Sequence, residues 1–263
     1  MLGNRNLRQI AKASFGKQHY FALLNMYRNY PAFLENLRRY LTAVGNYPYG
    51  IEVKTPTGMI TPTLYSHDDL LTVNEIFCRW DYYADNHIST VVDVGSNIGI
   101  SALYFLTRNP YSKCYLFEPD LRNTEKLRKN LLGLEKRYVL FERAVSNESG
   151  EVEFGIESTG RYGGIGVKTG KTLRVKCLDI NEVLGCILEE EDYIDILKVD
   201  TEGMEINTVS AIRDDYLERI KKIYLEAHLK CHLHPAHFSQ KQYGDICQLT
   251  RNTTKEPLQK SAI

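Results

Sequence analysis

The segment TVVDVGSNIGISALYFL, from Thr90 to Leu106, constrains the fold more than any other part of this sequence. An apolar strand pattern passes Asp93, turns through Gly95 and continues as a helical pattern. Gly95 permits the positive φ of a sharp turn, and Asn97 tolerates left-handed backbone better than most residues. We expect Gly99 to let the helix pack close to the sheet. This junction is typical of an open α/β sheet, where ligands bind at the carboxyl ends of the strands.

Alternation of strand and helix patterns continues along the chain. The predicted strands cover 90–95, 113–118, 138–145, 193–200 and 220–228, and the predicted helices cover 97–108, 121–132, 203–212 and 236–249. A further strand pair, 150–166 and 172–180, surrounds a glycine-rich loop. This order predicts an α/β fold with a mostly parallel, Rossmann-like sheet and helices on both faces.

The residues before the first of these strands predict a helical and hairpin extension. Residues 4–44 form helical patterns broken at Pro31, and 50–66 predict a hairpin that turns at Thr57 and Gly58. A helical pattern covers 68–85, with Ser66 and Asp68 as cap candidates. We divide the chain into an N-terminal helical extension (1–49), a Rossmann-like domain (50–249) and a polar C-terminal tail (250–263).

The ligand at the glycine turn is suggested by charge. A dinucleotide would place a pyrophosphate there on a G-x-G-x-x-G turn, whereas this chain has G-x-x-x-G next to Asp93. A carboxylate repels a pyrophosphate and attracts an ammonium, which favours S-adenosylmethionine over NAD. Glu118 ends the second strand and could accept both ribose hydroxyls. Alternatively, both acids only cap the helices that follow them.

Five segments resemble, in order and spacing, the FkbM family of class I S-adenosylmethionine-dependent methyltransferases. They are VVDVGSNIGISALYF, YLFEPD, RAVSNESGEVEF, DILKVDTEGMEINTV and IYLEAH, and the resemblance covers roughly residues 50–228. It implies a Rossmann-like methyltransferase sheet and O-methylation of a carbohydrate or of a glycosylated or polyketide small molecule. By match, the cofactor's methionine end would contact the turn residues Asp93, Gly95, Ser96, Asn97 and Gly99. Its ribose would contact Glu118, and its adenine would lie near Ala144.

One departure from the family concerns the sheet edge. The family's sheet normally ends in a sixth strand and an antiparallel seventh strand. After a predicted helix ending near Leu249, only the polar segment TRNTTKEPLQKSAI remains. We therefore expect an edge that is incomplete or covered by the N-terminal helices or a partner chain. This departure motivates the alternative of a non-catalytic methyltransferase-fold binding or assembly subunit.

Candidate catalytic side chains end two neighbouring strands. Lys198 and Asp200 share one strand face, and Glu226 and His228 share a face of the next strand. His228 is the favoured general base because its pKa lies near neutral. Asp200 and Glu226 could orient it or the acceptor hydroxyl, and Lys198 could pair with one of these acids.

Structural roles compete with these catalytic ones. Lys198 and Glu226 could form an ion pair between strands, and His228 could satisfy a loop carbonyl. Thr201 could cap a helix that begins at Glu202, with Glu202 and Glu205 complementing the helix dipole. The loop 158–171 could close as a lid over the acceptor or be a plain hairpin loop.

Metal ligands are the remaining candidates. Asp200 with Glu202 or Glu226 could hold Mg²⁺, which prefers oxygen ligands. The segment HLKCHLHPAH, 228–237, offers histidines and Cys231, but its spacing follows no standard zinc pattern. We assign S-adenosyl-L-methionine as the cofactor and no metal ligand, and leave Mg²⁺ open.

Composition limits the partners. The 33 basic and 33 acidic residues balance, so global charge supports neither a nucleic-acid nor a membrane partner. No apolar run approaches the length of a membrane span, and six scattered cysteines with no secretion signal favour a reducing cytoplasm. We expect a small-molecule or glycan acceptor, no nucleic acid, and a homo-oligomer formed through the N-terminal helices.

Overall fold

The central feature of the computed structural model, which describes residues 17–156, 163–165, 171–227 and 232–252, is a seven-stranded sheet. Its strands are β5 (Thr90–Val94), β6 (Lys113–Phe117), β7 (Tyr138–Phe141), β12 (Ile194–Val199), β13 (Ile220–Glu226), β14 (Phe238–Tyr243) and β15 (Ile246–Arg251). Their order across the sheet is β14-β15-β13-β12-β5-β6-β7; β15 is antiparallel to its neighbours β13 and β14, and the other four neighbouring pairs are parallel. Strands β5 and β12 are buried along their whole length, which explains their continuous apolar pattern.

Helices cover both faces of this sheet, as predicted. The described α-helices are α1 (Lys17–Asn29), α2 (Phe33–Thr42), α3 (His67–Val73), α4 (Ile100–Leu106), α5 (Leu121–Asn130), α6 (Ile180–Glu190), α7 (Glu205–Ser210) and α8 (Asp214–Leu217). One apolar cluster holds the sheet against α1, α3, α4 and α5, and a second holds the other face against α6, α7 and α8. Helix α6 was not predicted. None of the helices in the described ranges is long and apolar enough to cross a membrane.

The prediction of a helix over 236–249 is wrong, and with it the expectation of an incomplete sheet edge. This segment forms β14 and β15, joined at Gly244 and Asp245, and β15 pairs with β13. Two features of the sequence indicate this hairpin. One is the Gly-Asp turn, in which Gly244 has a φ of 59°, and the other is the alternation of residues that buries Cys247 and Leu249 on one face of the strand. The sheet therefore carries its sixth and seventh strands, which removes the motive for a non-catalytic subunit.

The third predicted strand, 138–145, is divided between two sheets. Strand β7 ends at Phe141, and β8 (Ala144–Ser146) belongs to a second sheet of order β10-β9-β11-β8. The predicted strand pair is confirmed as β9 (Gly150–Ile156) and β11 (Lys171–Asp179), with β10 (Gly163–Ile165) beside β9. The remainder of the predicted lid loop lies outside the described residues.

The N-terminal extension packs on a short π-helix, Asn74–Arg79, that continues α3. The predicted helix of 68–85 therefore ends earlier, because Trp80 adopts left-handed backbone at φ 63°. Asn25 and Asn29 of α1 donate hydrogen bonds to carbonyls of this π-helix at 2.8 and 3.0 Å, and Tyr30 donates to Asn74 at 2.8 Å.

Other predictions for the extension are confirmed from Lys17 onward, while residues 4–16 of the predicted helices lie outside the described residues. The helices break around Pro31, and Ser66 caps α3. The hairpin turns before Gly58: β2 (Val53–Thr55) pairs with β3 (Gly58–Ile60), and β1 (Tyr49–Gly50) pairs with β4 (Thr63–Leu64). The three-part domain division stays a prediction, and β15 extends to Arg251, into the predicted tail. An oligomer through α1 and α2 also stays a prediction.

Candidate active site

The glycine turn after β5 is held close to the neighbouring strands. The N–H groups of Gly95 and Ser96 donate to the carbonyl of Phe117 at the end of β6, at 2.9 and 3.0 Å. Gly95 has a φ of 82°, and a Cβ placed there would lie 1.9 Å from the carbonyl oxygen of Asp200. Glycine is therefore required at position 95 both by its conformation and by the approach of the chain after β12.

Two further predicted turn residues, Asn97 and Gly99, also have positive φ. Asn97 is left-handed at φ 47°, as its residue type predicted. Gly99 has a φ of 86°, and a Cβ there would lie 3.0 Å from the side chain of Leu127. Leu127 belongs to α5, so Gly99 permits the approach of two helices rather than the predicted approach of a helix to the sheet.

A buried lysine lies behind the turn. The Lys198 side chain is 2% exposed, and its ammonium lies 3.0 Å from the carboxylate of Asp93 and 3.3 Å from that of Asp200. It also donates to the carbonyl of Gly95 at 3.0 Å. Burial lowers the pKa of Lys198, but attraction to Asp93 and Asp200 outweighs burial and holds that pKa above its ordinary value. Lys198 is thus a charged centre that joins β5, the glycine turn and the end of β12.

The position of Asp93 corrects the charge argument made from the sequence. Its carboxylate is fully buried, pairs with Lys198 and accepts a hydrogen bond from the Ser101 hydroxyl at 2.6 Å. Asp93 lines neither of the two cavities described below, so the predicted direct contact with an ammonium lacks the geometry it needs. The ion pair considered between Lys198 and Glu226 is likewise replaced by the pairs with Asp93 and Asp200.

Glu118 occupies the predicted position at the tip of β6. One carboxylate oxygen accepts the N–H of Asn97 at 2.9 Å, and the other accepts the N–H of Asp120 at 2.9 Å. Burial raises the pKa of Glu118 to about 7, although these hydrogen bonds favour the charged form. The oxygen that binds Asp120 also accepts a longer hydrogen bond from the Asn123 amide at 3.4 Å, whereas the oxygen that binds Asn97 keeps a free lone pair.

A first cavity, of about 680 Å³ including space open to solvent, lies over the carboxyl ends of β5 and β6. Glu118 and Ala144, predicted to contact ribose and adenine, both line it, together with Gly95 and Asn97. Its apolar walls come from Phe117, Val145, Phe154 and Ile165. Apolar walls close to the Glu118 carboxylate fit a planar base attached to a sugar diol.

A second cavity, of about 1140 Å³ on the same measure, adjoins the first. The two share the residues Gly95, Asn97, Asp200 and Glu202. Lys198, Asp200 and Glu226, three of the predicted catalytic residues, line the second cavity with Ser96. His228, the favoured base, lies outside the described residues.

Glu226 has a perturbed acidity in this cavity. Partial burial and the repulsion of its negative charge by Asp200 and Glu202 raise the pKa of Glu226 to about 8, against the attraction of Lys198. A carboxylate with a pKa near neutral is suited to accept a proton at neutral pH.

The loop after β12 differs from the prediction. Helix α7 begins at Glu205, and Thr201 does not cap it. Instead the buried Glu205 carboxylate accepts the N–H groups of Thr201 and Gly203 at 2.8 and 2.9 Å. Glu205 therefore shapes this loop, and Glu202, at φ 56°, lines both cavities.

The sequence analysis missed the wall of the second cavity formed by α3 and the π-helix. Its lining includes Asp69, Thr72, Glu75, Arg79, Asp81 and Tyr82. The polar positions 69, 72, 75 and 79 are spaced by three or four residues, which places them on one helix face. This row of polar residues on one helix face is the sequence signal from which the cavity wall could have been predicted.

Neither metal site gains support from the described part of the chain. It contains no group of three or more histidine, cysteine or acidic side chains that could hold a metal ion. Near Asp200 the Lys198 ammonium already supplies a positive charge. His234 lies 2.8 Å from the carbonyl of Val209 and His237 lies 3.2 Å from Asp214, while Cys231 is outside the described residues.

Comparison with known proteins identifies similar chains. The family model of the methyltransferase FkbM domain matches residues 93–254. The AMB antimetabolite synthetase AmbE of Pseudomonas aeruginosa PAO1 is 24% identical over 68% of this chain. The 2-O-methyltransferase NoeI of Sinorhizobium fredii NGR234 is 38% identical over 24% of this chain.

Among solved structures, the methyltransferase FkbM of Methylobacillus flagellatus KT matches 70% of this chain, with a TM-score of 0.45 and 14% identity. The present chain spans 54% of that protein, and 10% and 26% of AmbE and NoeI respectively.

Two glycines with positive φ allow the packing at Gly95 to be tested. Gly133→Ala, at φ 87° with no atom near its Cβ, should cost only the conformational strain, about 1–2 kcal/mol. Gly95→Ala adds a collision with the backbone of Asp200 and should cost a further ~1–3 kcal/mol in the free energy of unfolding. Denaturant unfolding measures both, and equal losses would contradict the close approach.

Removal of the buried ammonium should destabilise the protein strongly. Lys198→Met leaves Asp93 buried without its cation, so we expect the free energy of unfolding to fall by about 3–5 kcal/mol. Adding Asp93→Asn should restore part of this loss. The matched control is Lys221→Met, which removes an exposed ammonium from Asp195. Asp195 is buried but keeps its hydrogen bonds from the N–H groups of Ser89 and Thr90, so this change should cost at most about 1 kcal/mol. Similar losses in Lys198→Met and Lys221→Met would refute the central role of Lys198.

Proposed function

This chain belongs to the FkbM methyltransferase family, and on that premise we propose that it transfers a methyl group from S-adenosylmethionine to a hydroxyl group. The proposed acceptor is a carbohydrate or a glycosylated or polyketide small molecule. The resemblance of the sequence motifs and the 2-O-methyltransferase NoeI among its relatives support the choice of a hydroxyl.

The observation that carries the proposal is the position of Glu118 between the glycine turn and the first cavity. Its two oxygens are oriented by the N–H groups of Asn97 and Asp120. The oxygen that binds Asn97 has a free lone pair for one hydroxyl of a vicinal diol, and the second hydroxyl would replace the longer 3.4 Å hydrogen bond from Asn123. The residues fit an adenosyl group: Glu118 would accept the ribose hydroxyls, and Phe117 and Ala144 would contact the adenine.

The charge at the boundary of the two cavities also suits this cofactor. Asp93 is neutralised by Lys198, so the attraction for a sulfonium and an ammonium falls to Asp200 and Glu202. Asp93 would act indirectly, by fixing Lys198 and thereby Gly95 and Asp200. Gly95 keeps the turn free of a side chain.

The second cavity is the proposed acceptor site. When bound, S-adenosylmethionine supplies an electrophilic methyl group, which the acceptor oxygen takes as the carbon–sulfur bond breaks. Glu226 would accept the proton that the hydroxyl loses, because its raised pKa of about 8 makes its charged form a stronger base than an ordinary carboxylate. The charged fraction grows as the pH rises through about 8. Asp200 would orient the hydroxyl, and His228 remains a candidate for the same task.

Cofactor binding should depend on pH through Glu118. The charged carboxylate is the form that accepts ribose hydroxyls, and with a pKa of about 7 it is mostly protonated at pH 6 and mostly charged at pH 8. The affinity for S-adenosylhomocysteine should therefore rise about tenfold from pH 6 to pH 8. Calorimetry should show weaker binding and little of this rise in Glu118→Gln.

The control for that experiment is Glu125→Gln, which removes an exposed acid from α5 and should keep the rise. Wild-type affinity in Glu118→Gln would contradict the ribose assignment. Absence of any binding by the wild-type protein at millimolar S-adenosylhomocysteine would overturn the proposed function.

The rate of turnover should depend on Glu226, whereas the affinity for the cofactor should not. In a methyl-transfer assay with labelled S-adenosylmethionine and a panel of sugars and glycosides, Glu226→Gln should lower kcat about 10²–10⁴-fold. Its affinity for S-adenosylhomocysteine should stay within about threefold of the wild type, since Glu226 does not line the first cavity. Glu218→Gln, at an exposed position, is the control. A rate in Glu226→Gln above a tenth of the wild-type rate would exclude it as the base.

A further inference from the structure

We propose that the outward face of helix α1 binds the surface of an anionic lipid bilayer. The outward face is the apolar surface formed by Tyr20, Leu23, Leu24 and Tyr27. This inference goes beyond the proposed methyl transfer and does not depend on it. It follows from an inverted distribution of polar side chains on the helix and from the charge of the segment that contains the helix.

The side of α1 that packs on the π-helix is largely polar. It contains Asn25, which is 3% exposed, the half-buried Asn29 and the buried Met26. The two asparagine side chains donate hydrogen bonds to carbonyls of the π-helix, which is why they can be buried. A surface helix normally has the opposite arrangement, with its apolar stripe toward the core and its polar side chains in water.

The opposite side of α1 exposes large apolar side chains. Tyr20 and Tyr27 are 66% and 69% exposed, and Leu23 and Leu24 are 41% and 45% exposed. Their spacing of three, four and seven residues from Tyr20 places them on one helix face. Single apolar residues on a surface are ordinary, whereas a continuous apolar face marks an interaction site.

Aromatic rings extend the outward face beyond the helix. The ring of Phe21 contacts that of Trp80 edge-on, with centroids 4.7 Å apart, and Tyr27 contacts Phe33 in the same way at 5.4 Å. Trp80 itself is 38% exposed. Tyrosine and tryptophan suit the headgroup region of a bilayer, because their rings are apolar and their polar atoms can stay hydrated.

Charge favours a lipid surface over a second copy of this chain as the partner. Although the whole chain is neutral, residues 1–34 contain no acid, and their basic residues are Arg5, Arg8, Lys12, Lys17 and Arg28. The first acid along the chain, Glu35, is bound by both Arg38 and Arg39, at 2.8 and 2.7 Å. Two copies that met through this face would bring like charges together, whereas an anionic bilayer attracts them. Basic side chains beside an apolar, aromatic face are typical of helices that lie in the bilayer interface.

Trp80 supplies the measurement, because it is the only tryptophan of the chain and it borders the outward face. The full chain is mixed with vesicles of phosphatidylcholine alone, or with vesicles in which about a quarter of the lipid is phosphatidylserine. We expect the protein to sediment with the anionic vesicles, at least about tenfold more tightly than with the neutral ones, and less so as salt is raised. The emission of Trp80 should shift to shorter wavelength as its ring leaves water.

A double variant tests the apolar face. Leu24→Gln with Tyr27→Gln should weaken binding to the anionic vesicles at least about tenfold, because two large apolar side chains no longer enter the lipid. The matched control is Leu132→Gln with Tyr111→Gln, the same changes at positions of other segments that are 81% and 86% exposed, and it should bind like the wild type. Thermal unfolding of both double variants checks that they fold.

A single variant tests the charge. Arg28 is exposed on α1, and Arg28→Gln should weaken binding to the anionic vesicles about fivefold while leaving binding to the neutral ones unchanged. Arg174→Gln makes the same change at an exposed position of β11 and should have no effect.

The proposal is overturned if neither kind of vesicle binds the protein, or if the Leu24→Gln, Tyr27→Gln variant binds them like the wild type. Equal binding to neutral and anionic vesicles would overturn the part assigned to charge. A dimer that this double variant dissociates, in a protein that binds no vesicle, would assign the outward face to a second copy instead. None of these results bears on methyl transfer, because the experiment contains neither S-adenosylmethionine nor an acceptor.

Discussion

The contacts of the Lys198 ammonium are the interaction on which the site depends. One buried charge binds Asp93 of β5, the carbonyl of Gly95 in the turn and Asp200 after β12. Burying an ammonium is costly, and its carboxylates offset that cost only when the geometry is maintained. The ion pairs therefore serve mainly to fix the positions of these segments. They hold the glycine turn so close to the backbone of Asp200 that a side chain at position 95 would not fit.

From this centre the site divides into two cavities with carboxylates in different environments. Glu118, buried and oriented by two N–H groups, has a pKa of about 7 in the first cavity. Glu226, repelled by its acidic neighbours, has a pKa of about 8 in the second. The same functional group is thus suited to bind a diol on one side and to accept a proton on the other. Asp200 lines both cavities and connects them.

The wall of the second cavity comes partly from outside the family match. The FkbM domain model begins at residue 93, whereas the polar face of α3 and the π-helix, followed by Tyr82, precedes it. Asn25 and Asn29 of helix α1, together with Tyr30 directly after it, hold this wall through hydrogen bonds. The shared domain therefore supplies the turn and Glu118, and the segment before residue 93 shapes the pocket proposed for the acceptor.

Local pattern alone determined the strand, turn and helix after Thr90, the parallel strands and the placement of Glu118 at a strand tip, because apolar periodicity and glycine conformation are properties of short segments. Local pattern gave wrong predictions where pairing between distant segments determines the structure. The segment 236–249 is a hairpin because one of its strands pairs with β13. Asp93 faces the interior because the strand register places it beside Lys198, which has Tyr224 as its neighbour on the opposite strand. Tyr82 lines the second cavity because the segment before β5 packs on the face of the sheet that carries α4 and α5. Strand register and the packing of distant segments are not encoded in any one stretch, so only the tertiary structure decided which charges are neutralised and which face a ligand.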